Sequence, residues 1–373
     1  MAYEQFVPLT NMNFQINRIY NYGELACKPE ELWEIAPRIS TFDFKIWYQE
    51  WDRLGKRAEA ENRIMHAAYY YRLSEFFLPD TASEKQTAYE NFKRCFYKAV
   101  DPSEYEFLEI PYQNAVLPVL KMASKREKGV ILLHGGFDSF IEEFYLELRR
   151  MPELGYTIYA FEGPGQGRVL RQGLKMNYQW EKPVSAIIDK LELDNVGLIG
   201  VSLGGYLALR AAAFEKRISH VVCFDVIWDA LAVFTRRFPD SFRESILAEQ
   251  KDEINLLVNS ARKSDDFIDW IITHGMYITG TESPFEYLYS FKDYHTRDIS
   301  QNINQDVLLL AGENDHFVPP EFLKKQEEAL VNARSVSSRM FTETEGADQH
   351  CQVGNSDLVV TEILDWLNRL HSR

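Results

Sequence analysis

Hydrophobic residues recur at spacings of three and four through residues 46–54 and 64–77, which is the spacing of one buried helix face. Residues 85–100 repeat the pattern with aromatic anchors. A further helix is expected to begin at Pro29, because proline is favoured in a first helical turn. No fixed period relates these stretches, so a solenoid of repeats is not expected. The pattern therefore predicts a helical segment over residues 1–104.

From residue 105 onward, short hydrophobic runs alternate with helical stretches such as 180–191 and 203–214. The first two runs, 107–110 and 115–121, flank a turn-like segment and predict an antiparallel pair. The later runs are rich in Val, Ile and Leu without polar alternation, as in parallel strands buried on both faces. These runs cover residues 129–134, 156–162, 196–201, 218–226, 306–311 and 336–342. We therefore predict an α/β fold with a doubly wound, mostly parallel sheet.

The connection between residues 226 and 306 is far longer than an ordinary one. It contains helical patterns at 241–259 and 265–274 and many aromatic residues. We interpret residues 227–300 as a helical lid over the carboxyl ends of the strands, although an ordinary structural insertion explains the segment equally well. The α/β core would then comprise residues 105–226 and 301–373.

The composition is that of a globular protein, with 46% hydrophobic and 26% charged residues, which excludes disorder as the main state. A length of 373 residues suits two domains or one large domain with a sizeable insertion or extension. The net charge of −15 argues against nucleic acid or an anionic membrane as the principal partner. Aromatic residues make up 14% of the chain, enough for a large core or an aromatic-lined pocket. A homodimer formed through the helical segment is compatible with these aromatic residues, as is a core or lid role.

Two features bear on the cellular compartment. No hydrophobic run has the length of a membrane span, and the first six residues carry neither a basic leader nor a hydrophobic signal core. The four cysteines are scattered without a C-x-x-C spacing. We therefore expect a cytoplasmic protein with reduced thiols, without a disulfide framework or a zinc site.

The most specific motif is Gly-Val-Ser-Leu-Gly-Gly at residues 200–205, between a predicted strand and a predicted helix. This is the context of a G-x-S-x-G nucleophile elbow, a sharp turn that exposes the serine hydroxyl. Glycines flank the serine because side chains there would collide with the neighbouring strand and helix. The amino end of the following helix also stabilises negative charge nearby. The motif predicts Ser202 as a nucleophile.

A second glycine-rich turn, Leu-His-Gly-Gly-Phe-Asp at residues 133–138, directly follows a predicted strand. Such a turn can direct a backbone N–H at an oxyanion, together with the N–H of Leu203. We predict Phe137 or Gly136 as the second donor. By itself the turn is also a tight strand exit, and the pairing with the elbow favours the catalytic interpretation.

A serine nucleophile needs a base, and the base needs an orienting acid. Asp315 follows the strand predicted at 306–311, and His350 follows the last predicted strand, beside a final helix over 357–370. Ser202, His350 and Asp315 are therefore the predicted triad. His316 is more in keeping with a loop residue that points elsewhere.

Several other residues are alternatives for the same chemistry. Asp225 and Asp229, after the preceding strand, are the alternative acids if Asp315 is not the orienting one. Cys351 adjoins the predicted base but has no elbow, so a buried thiol is expected. Residues 161–168, Phe-Glu-Gly-Pro-Gly-Gln-Gly-Arg, have the wrong glycine spacing for a dinucleotide loop, and Pro164 would stiffen a phosphate turn.

The motifs at 134–136, 162–167, 200–205 and 345–351 together resemble one branch of the α/β-hydrolase superfamily. That branch carries a helical N-terminal segment. It includes dihydroxypseudooxynicotine hydrolase, which cleaves a carbon–carbon bond next to a ketone, polyketide-shortening pigment-pathway hydrolases and the fermentation/respiration switch proteins. The resemblance covers residues 105–370 well and the helical front end in kind.

The resemblance implies a serine hydrolase with the Ser202, Asp315 and His350 triad and with neither a metal nor an organic cofactor. We expect hydrolysis of a carbon–carbon bond in an aryl-ketone or β-dicarbonyl small molecule. A carboxylesterase uses the same residues, and a non-catalytic ligand-binding protein on this fold is a further alternative. Trp228 and Trp270, in the predicted lid, are the expected substrate contacts.

Overall fold

The computed structural model describes residues 3–372, and one eight-stranded sheet organises the larger part of them. The strands are β1 Glu106–Tyr112, β2 Ala115–Met122, β3 Gly129–His134, β4 Tyr156–Phe161, β5 Val196–Val201, β6 Ile218–Phe224, β7 Asp306–Gly312 and β8 Ser335–Phe341. Their order in the sheet is β1-β2-β4-β3-β5-β6-β7-β8. Only β2 runs against the others, so the predicted mostly parallel α/β sheet is confirmed.

Sixteen α-helices are found in the described residues. They are α1 Thr10–Tyr20, α2 Pro29–Ile35, α3 Phe44–Ala60, α4 Ile64–Phe76, α5 Ser83–Ala99, α6 Tyr145–Leu148, α7 Gly167–Arg171, α8 Glu181–Lys190, α9 Gly204–Phe214, α10 Ala230–Thr235, α11 Asp240–Leu247, α12 Lys251–Arg262, α13 Asp266–Thr279, α14 Pro284–Ser290, α15 Glu321–Ala329 and α16 Ser356–His371. The helical pattern at 241–259 is divided between α11 and α12, because Glu249 adopts a left-handed conformation (φ 58°) that ends the first helix.

The described residues up to Glu104, together with Val258–Tyr277 and Val353–Asn355, form a compact helical unit. The side chain of Asp43 caps α3 by accepting hydrogen bonds from the backbone N–H groups of Lys45 and Ile46. Trp47, Trp51, Leu54 and Ala58 then form the buried stripe of that helix. Helix α4 is buried from Ala67 to Phe76, because α3 and α5 pack on either side of it.

Tyr105–Leu257, Ile278–Gln352 and the described residues from Ser356 onward form the second unit, which contains the sheet. Every residue of β4, β5 and β7 is buried, as their uninterrupted hydrophobic sequences predict. The edge strand β8 is only partly buried. The predicted lid segment is shared between the two units, since Val258–Tyr277 belongs to the helical one. Its role as a lid stays a prediction.

Parallel strands place their carboxyl ends at one edge of the sheet, where loops converge. Strands β3, β5, β6, β7 and β8 are successive neighbours, so the residues that follow them meet at this edge. The predicted nucleophile, base and acid all lie in these loops. Among the described residues, we find no helix with the length and hydrophobicity that a membrane span requires.

Candidate active site

Ser202 occupies the sharp turn between β5 and α9, with the left-handed backbone conformation (φ 62°) that a nucleophile elbow imposes. The turn is held against the neighbouring strand, because the backbone N–H of Ser202 donates to the carbonyl oxygen of Phe224 at 2.6 Å. A Cβ atom at Gly205 would lie 1.8 Å from the carbonyl oxygen of Asp225, so only glycine fits there. The close contact between elbow and strand explains the glycine that the motif requires.

The structure brings Ser202, His350 and Asp315 into one hydrogen-bonded series. The Ser202 hydroxyl lies 2.9 Å from Nε2 of His350, and Nδ1 of the same ring lies 2.7 Å from Oδ2 of Asp315. A proton on Nδ1 that donates to Asp315 leaves Nε2 to accept the serine proton. Ser202 and His350 are 148 residues apart in sequence, and the strand ends bring them together.

The carboxylate of Asp315 is fixed by its own loop. Its Oδ1 accepts hydrogen bonds from the backbone N–H groups of Phe317 at 2.7 Å and Val318 at 2.8 Å. The guanidinium of Arg236 donates to the backbone carbonyl oxygen of Asp315 at 3.0 Å. Because Oδ1 is used in this way, Oδ2 is left to face the imidazole.

A second carboxylate reaches the same imidazole. Oδ2 of Asp225, the residue that follows β6, lies 2.9 Å from Nδ1 of His350. The Asp225 side chain also accepts hydrogen bonds from the backbone N–H of Cys351 at 2.7 Å and from Nε2 of Gln352 at 2.6 Å. Sequence reasoning considered Asp225 only as a substitute for Asp315. Like Asp315, Asp225 directly follows a buried parallel strand, and this position in the sequence could have predicted that it lies at the site.

Burial and charge act in opposite directions on this cluster. Burial alone would lower the pKa of His350, but the carboxylates of Asp315 and Asp225 outweigh it and raise this pKa well above its ordinary value. Burial alone would raise the pKa of Asp225, yet the charge of protonated His350 and the donors on Gln352 and Cys351 hold it below its ordinary value. Burial, reinforced by the nearby charge of Asp225, raises the pKa of Asp315. The two carboxylates thus stabilise the imidazolium that forms when Nε2 of His350 accepts a proton.

The predicted oxyanion turn lies against the elbow. A Cβ atom at Gly136 would be 2.6 Å from the backbone nitrogen of Leu203, so the turn and the start of α9 are in direct contact. The side-chain amide of Gln166 donates to the carbonyl oxygens of Gly135 and Gly136, both at 2.8 Å. The segment 161–168 therefore supports this turn, a role that its sequence did not suggest.

Aromatic side chains surround these elements. The ring of Phe137 lies 5.3 Å from that of Phe234 and 6.2 Å from that of Phe291, measured between ring centroids. Phe234 and Phe291 come from the predicted lid segment and pack on each other at 4.3 Å. The ring of Phe317 lies 5.1 Å from the imidazole of His350. The sequence indicated the lid aromatics as a group but none of these four contacts.

The family model described as alpha/beta hydrolase fold matches residues 129–340, which is more than half of the chain. The chain belongs to the alpha/beta hydrolase fold family. The resemblance predicted from the motifs is thereby confirmed. The match spans β3 to β8 and includes the elbow and Asp315.

Fungal proteins named as hydrolases are similar along nearly the whole chain of this α/β-hydrolase. Hydrolase acrC of Aspergillus aculeatus is 28% identical over 98% of this chain and 97% of that protein. The 20-hydroxy-prefusarin hydrolase FUS2 of Gibberella moniliformis is 27% identical over 89% of this chain and 90% of that protein. These relatives support an enzyme of the hydrolase class.

Solved structures show the same fold with the helical front end included. The crystal structure of the 2,6-dihydroxy-pseudo-oxynicotine hydrolase has a TM-score of 0.67, covering 94% of each chain at 20% identity. AbyA5 has a TM-score of 0.67, covering 89% of this chain and 88% of that one at 18% identity. Sequence identities this low show only that the fold is shared.

The two tryptophans predicted to contact substrate lie in different units of this α/β-hydrolase. Trp228 is half-buried and lines a cavity of about 340 Å³ together with Arg236 and Phe322. Trp270 belongs to the helical unit, where its ring stacks on His274 with centroids 5.2 Å apart. A substrate contact by either one stays a prediction.

One group of potential metal ligands occurs at the site. Donor atoms of Asp225, His350 and Cys351 lie within 4.8 Å of one another. Both Asp225 oxygens already accept hydrogen bonds, and Nδ1 of His350 faces two carboxylates. Burial raises the pKa of the Cys351 thiol to about 12, which disfavours the thiolate that a metal would need. Hydrogen bonding accounts for this cluster better than a metal does.

Proposed function

We propose that this protein is a serine hydrolase that cleaves a carbon–carbon bond adjacent to a ketone, in an aryl-ketone or β-dicarbonyl substrate of polyketide type. The observation that carries the proposal is the hydrogen-bonded series from the Ser202 hydroxyl through His350 to Asp315. Ser202 is the nucleophile, His350 the base, and Asp315 the acid that orients the imidazole.

In the first step, Nε2 of His350 takes the proton of Ser202 while Oγ attacks the ketone carbon. The N–H of Leu203 and an N–H of the Gly136–Phe137 turn stabilise the oxyanion. The carbon–carbon bond then breaks, its electron pair leaves with the departing carbon as a carbanion or enolate, and His350 returns the proton to that carbon. Water, deprotonated by His350, hydrolyses the acyl-serine, so one water is consumed and a carboxylic acid is formed.

Three observations support the proposal. The two carboxylates on Nδ1 stabilise imidazolium, the species that must protonate an enolate. Phe234 and Phe291 of the predicted lid pack beside Phe137, where an aromatic ketone and exclusion of water would be useful. The similar protein FUS2 is named for the hydrolysis of 20-hydroxy-prefusarin.

The test compares aryl 1,3-diketones with aryl esters of the same acyl group, measuring kcat/KM and identifying the carboxylic acid product. We expect cleavage of the diketone and no activity in Ser202→Ala. Ser219→Ala is the matched control, because this serine lies near the amino end of β6 and bonds the carbonyl oxygen of Val196. Efficient ester turnover without diketone cleavage would favour the carboxylesterase and reject carbon–carbon cleavage.

A fluorophosphonate separates both enzyme proposals from the non-catalytic alternative. An activated serine reacts with this reagent whatever the natural substrate is. We expect one adduct on Ser202, found by peptide mass spectrometry, and none in Ser202→Ala. Folded protein that forms no adduct would favour a ligand-binding role.

A further inference from the structure

Asp225 is a completely buried carboxylate whose described side-chain contacts all go to three consecutive residues. Its Oδ2 lies 2.9 Å from Nδ1 of His350 and accepts the backbone N–H of Cys351 at 2.7 Å. Its Oδ1 accepts Nε2 of Gln352 at 2.6 Å. Solvent reaches none of the Asp225 surface. A buried carboxylate is costly unless its charge and its lone pairs are satisfied, and here all the partners belong to the segment that carries the base.

The backbone of that segment is strained. Cys351 and Gln352 both have φ of 49°, in the left-handed region that residues with a side chain rarely adopt. The surrounding structure must therefore hold the turn in place. Asp225, directly after β6, does this through the backbone of Cys351 and the side chain of Gln352. The direction of the imidazole thus depends on a residue that lies 125 positions earlier in the chain.

Asp225 and Asp315 are arranged alike around the ring. In each residue Oδ1 accepts anchoring hydrogen bonds, and Oδ2 faces Nδ1 of His350. The distance from Oδ2 to Nδ1 is 2.9 Å for Asp225 and 2.7 Å for Asp315. One N–H cannot make two full-strength hydrogen bonds at once, so the second carboxylate acts mainly through its charge. The other titratable groups facing the imidazole are His316, whose ring centroid is 6.5 Å away, and the adjoining Cys351.

We propose that Asp225 is a positioning residue for His350, holding the imidazole in its turn and stabilising its protonated form jointly with Asp315. The inference rests on the proposed function, since it concerns the base of that reaction. A carbanion or enolate carbon accepts a proton more slowly than an alkoxide oxygen does. With both carboxylates beside it, the His350 imidazolium keeps the proton taken from Ser202 long enough to deliver it to carbon. A single carboxylate would hold the imidazolium less firmly.

The test replaces Asp225 by asparagine, which keeps the shape and removes the charge. The imidazole of His350 is titrated by NMR in the unliganded protein, and the labelling rate of Ser202 by a fluorophosphonate is measured against pH. We expect the pKa of His350 and the acid limb of the labelling profile to fall together by about one pH unit or more. An unchanged pKa and an unchanged limb in Asp225→Asn would overturn the proposal, since a merely structural role lowers the rate without moving either.

Asp348→Asn is the matched control. Asp348 is a buried acid of the same loop that accepts hydrogen bonds from Asn314 and Gln349, and its removal should leave the limb in place. A second variant, Gln352→Met, keeps the Asp225 charge but removes a donor that disperses it. The acid limb of the labelling profile should then move to higher pH. An acid limb at the wild-type pH in Gln352→Met would overturn the proposal even if Asp225→Asn does not fold.

The two proposals fail in different ways. Wild-type protein that is not labelled at Ser202 contradicts the proposed function, whatever the pKa of His350. Wild-type protein that is labelled, with the same His350 pKa in Asp225→Asn, contradicts only the role of Asp225.

Discussion

The side-chain amide of Gln166 donates a hydrogen bond to the carbonyl oxygen of Gly136, at 2.8 Å. The same nitrogen reaches the carbonyl oxygen of Gly135, and the Gln166 amide oxygen accepts the backbone N–H of Gly163. Two peptide groups of the glycine turn are therefore oriented by one side chain. Because a peptide plane is rigid, fixing a carbonyl oxygen also fixes the N–H of the next residue, here Phe137.

Gln166→Leu should lower kcat by between about 10-fold and 100-fold, less than the 10²–10³-fold cost of deleting an oxyanion donor outright. The turn remains, but its N–H groups are no longer held in place, so KM should change little. Gln305→Leu is the control, because Gln305 also donates from a buried amide to a backbone carbonyl, that of Ala212. Equal kcat values for the two variants, corrected for folded protein, would contradict a role for Gln166 in the turn.

Removing single members of the proposed triad should give unequal losses. Ser202→Ala and His350→Ala should each reduce kcat by about 10⁵-fold or more, since neither function has a substitute. Asp315→Asn should cost less than the roughly 10⁴-fold seen when a triad loses its one acid, because Asp225 still faces Nδ1. Single-turnover rates at saturating substrate measure this, with circular dichroism as the check on folding. A loss in Asp315→Asn as large as in Ser202→Ala would show that Asp225 gives no support.

Acid should destabilise the folded protein through its buried histidines. Burial lowers the pKa of His220, near the amino end of β6, to about 4. Between pH 6.5 and 4 the unfolded chain binds a proton at this residue that the folded chain does not, so the free energy of unfolding falls by up to about 3 kcal/mol. In His220→Gln, urea unfolding at pH 7.5 and pH 5 should differ by less than in the wild type. An equal change in the free energy of unfolding between the two pH values in both proteins would contradict a lowered pKa of His220.

The cysteines should be unreactive in the folded protein. Burial raises the thiol pKa of Cys27 and Cys351 to about 12 and that of Cys95 to about 11, and it raises that of Cys223 as well. Since the thiolate is the reactive species, iodoacetamide at pH 8 should leave the activity intact while a fluorophosphonate abolishes it. Inactivation by iodoacetamide at the rate of an exposed thiol would instead support a cysteine as the nucleophile.

Local patterns were sufficient for the elements of the sheet. The uninterrupted hydrophobic runs ending at His134 and Val201 are strands with the predicted bounds, because burial on both faces leaves no polar positions. The elbow around Ser202 was also predictable, since the glycines it needs are set by contacts within a few residues and one adjacent strand. Asp315 and His350 followed from their places after strands, which the parallel sheet brings to one edge.

The amino-acid sequence by itself therefore determined the sheet, the family and the three residues of the hydrogen-bonded series. Only the tertiary structure decided that Asp225 shares the imidazole with Asp315, that Gln166 orients the glycine turn, and that Trp270 packs within the helical unit. The reason is physical. Periodicity in the sequence indicates whether a side chain is buried. The role of a buried carboxylate or amide depends on its hydrogen-bond partners, and these lie on strands and loops that become adjacent only in the folded protein.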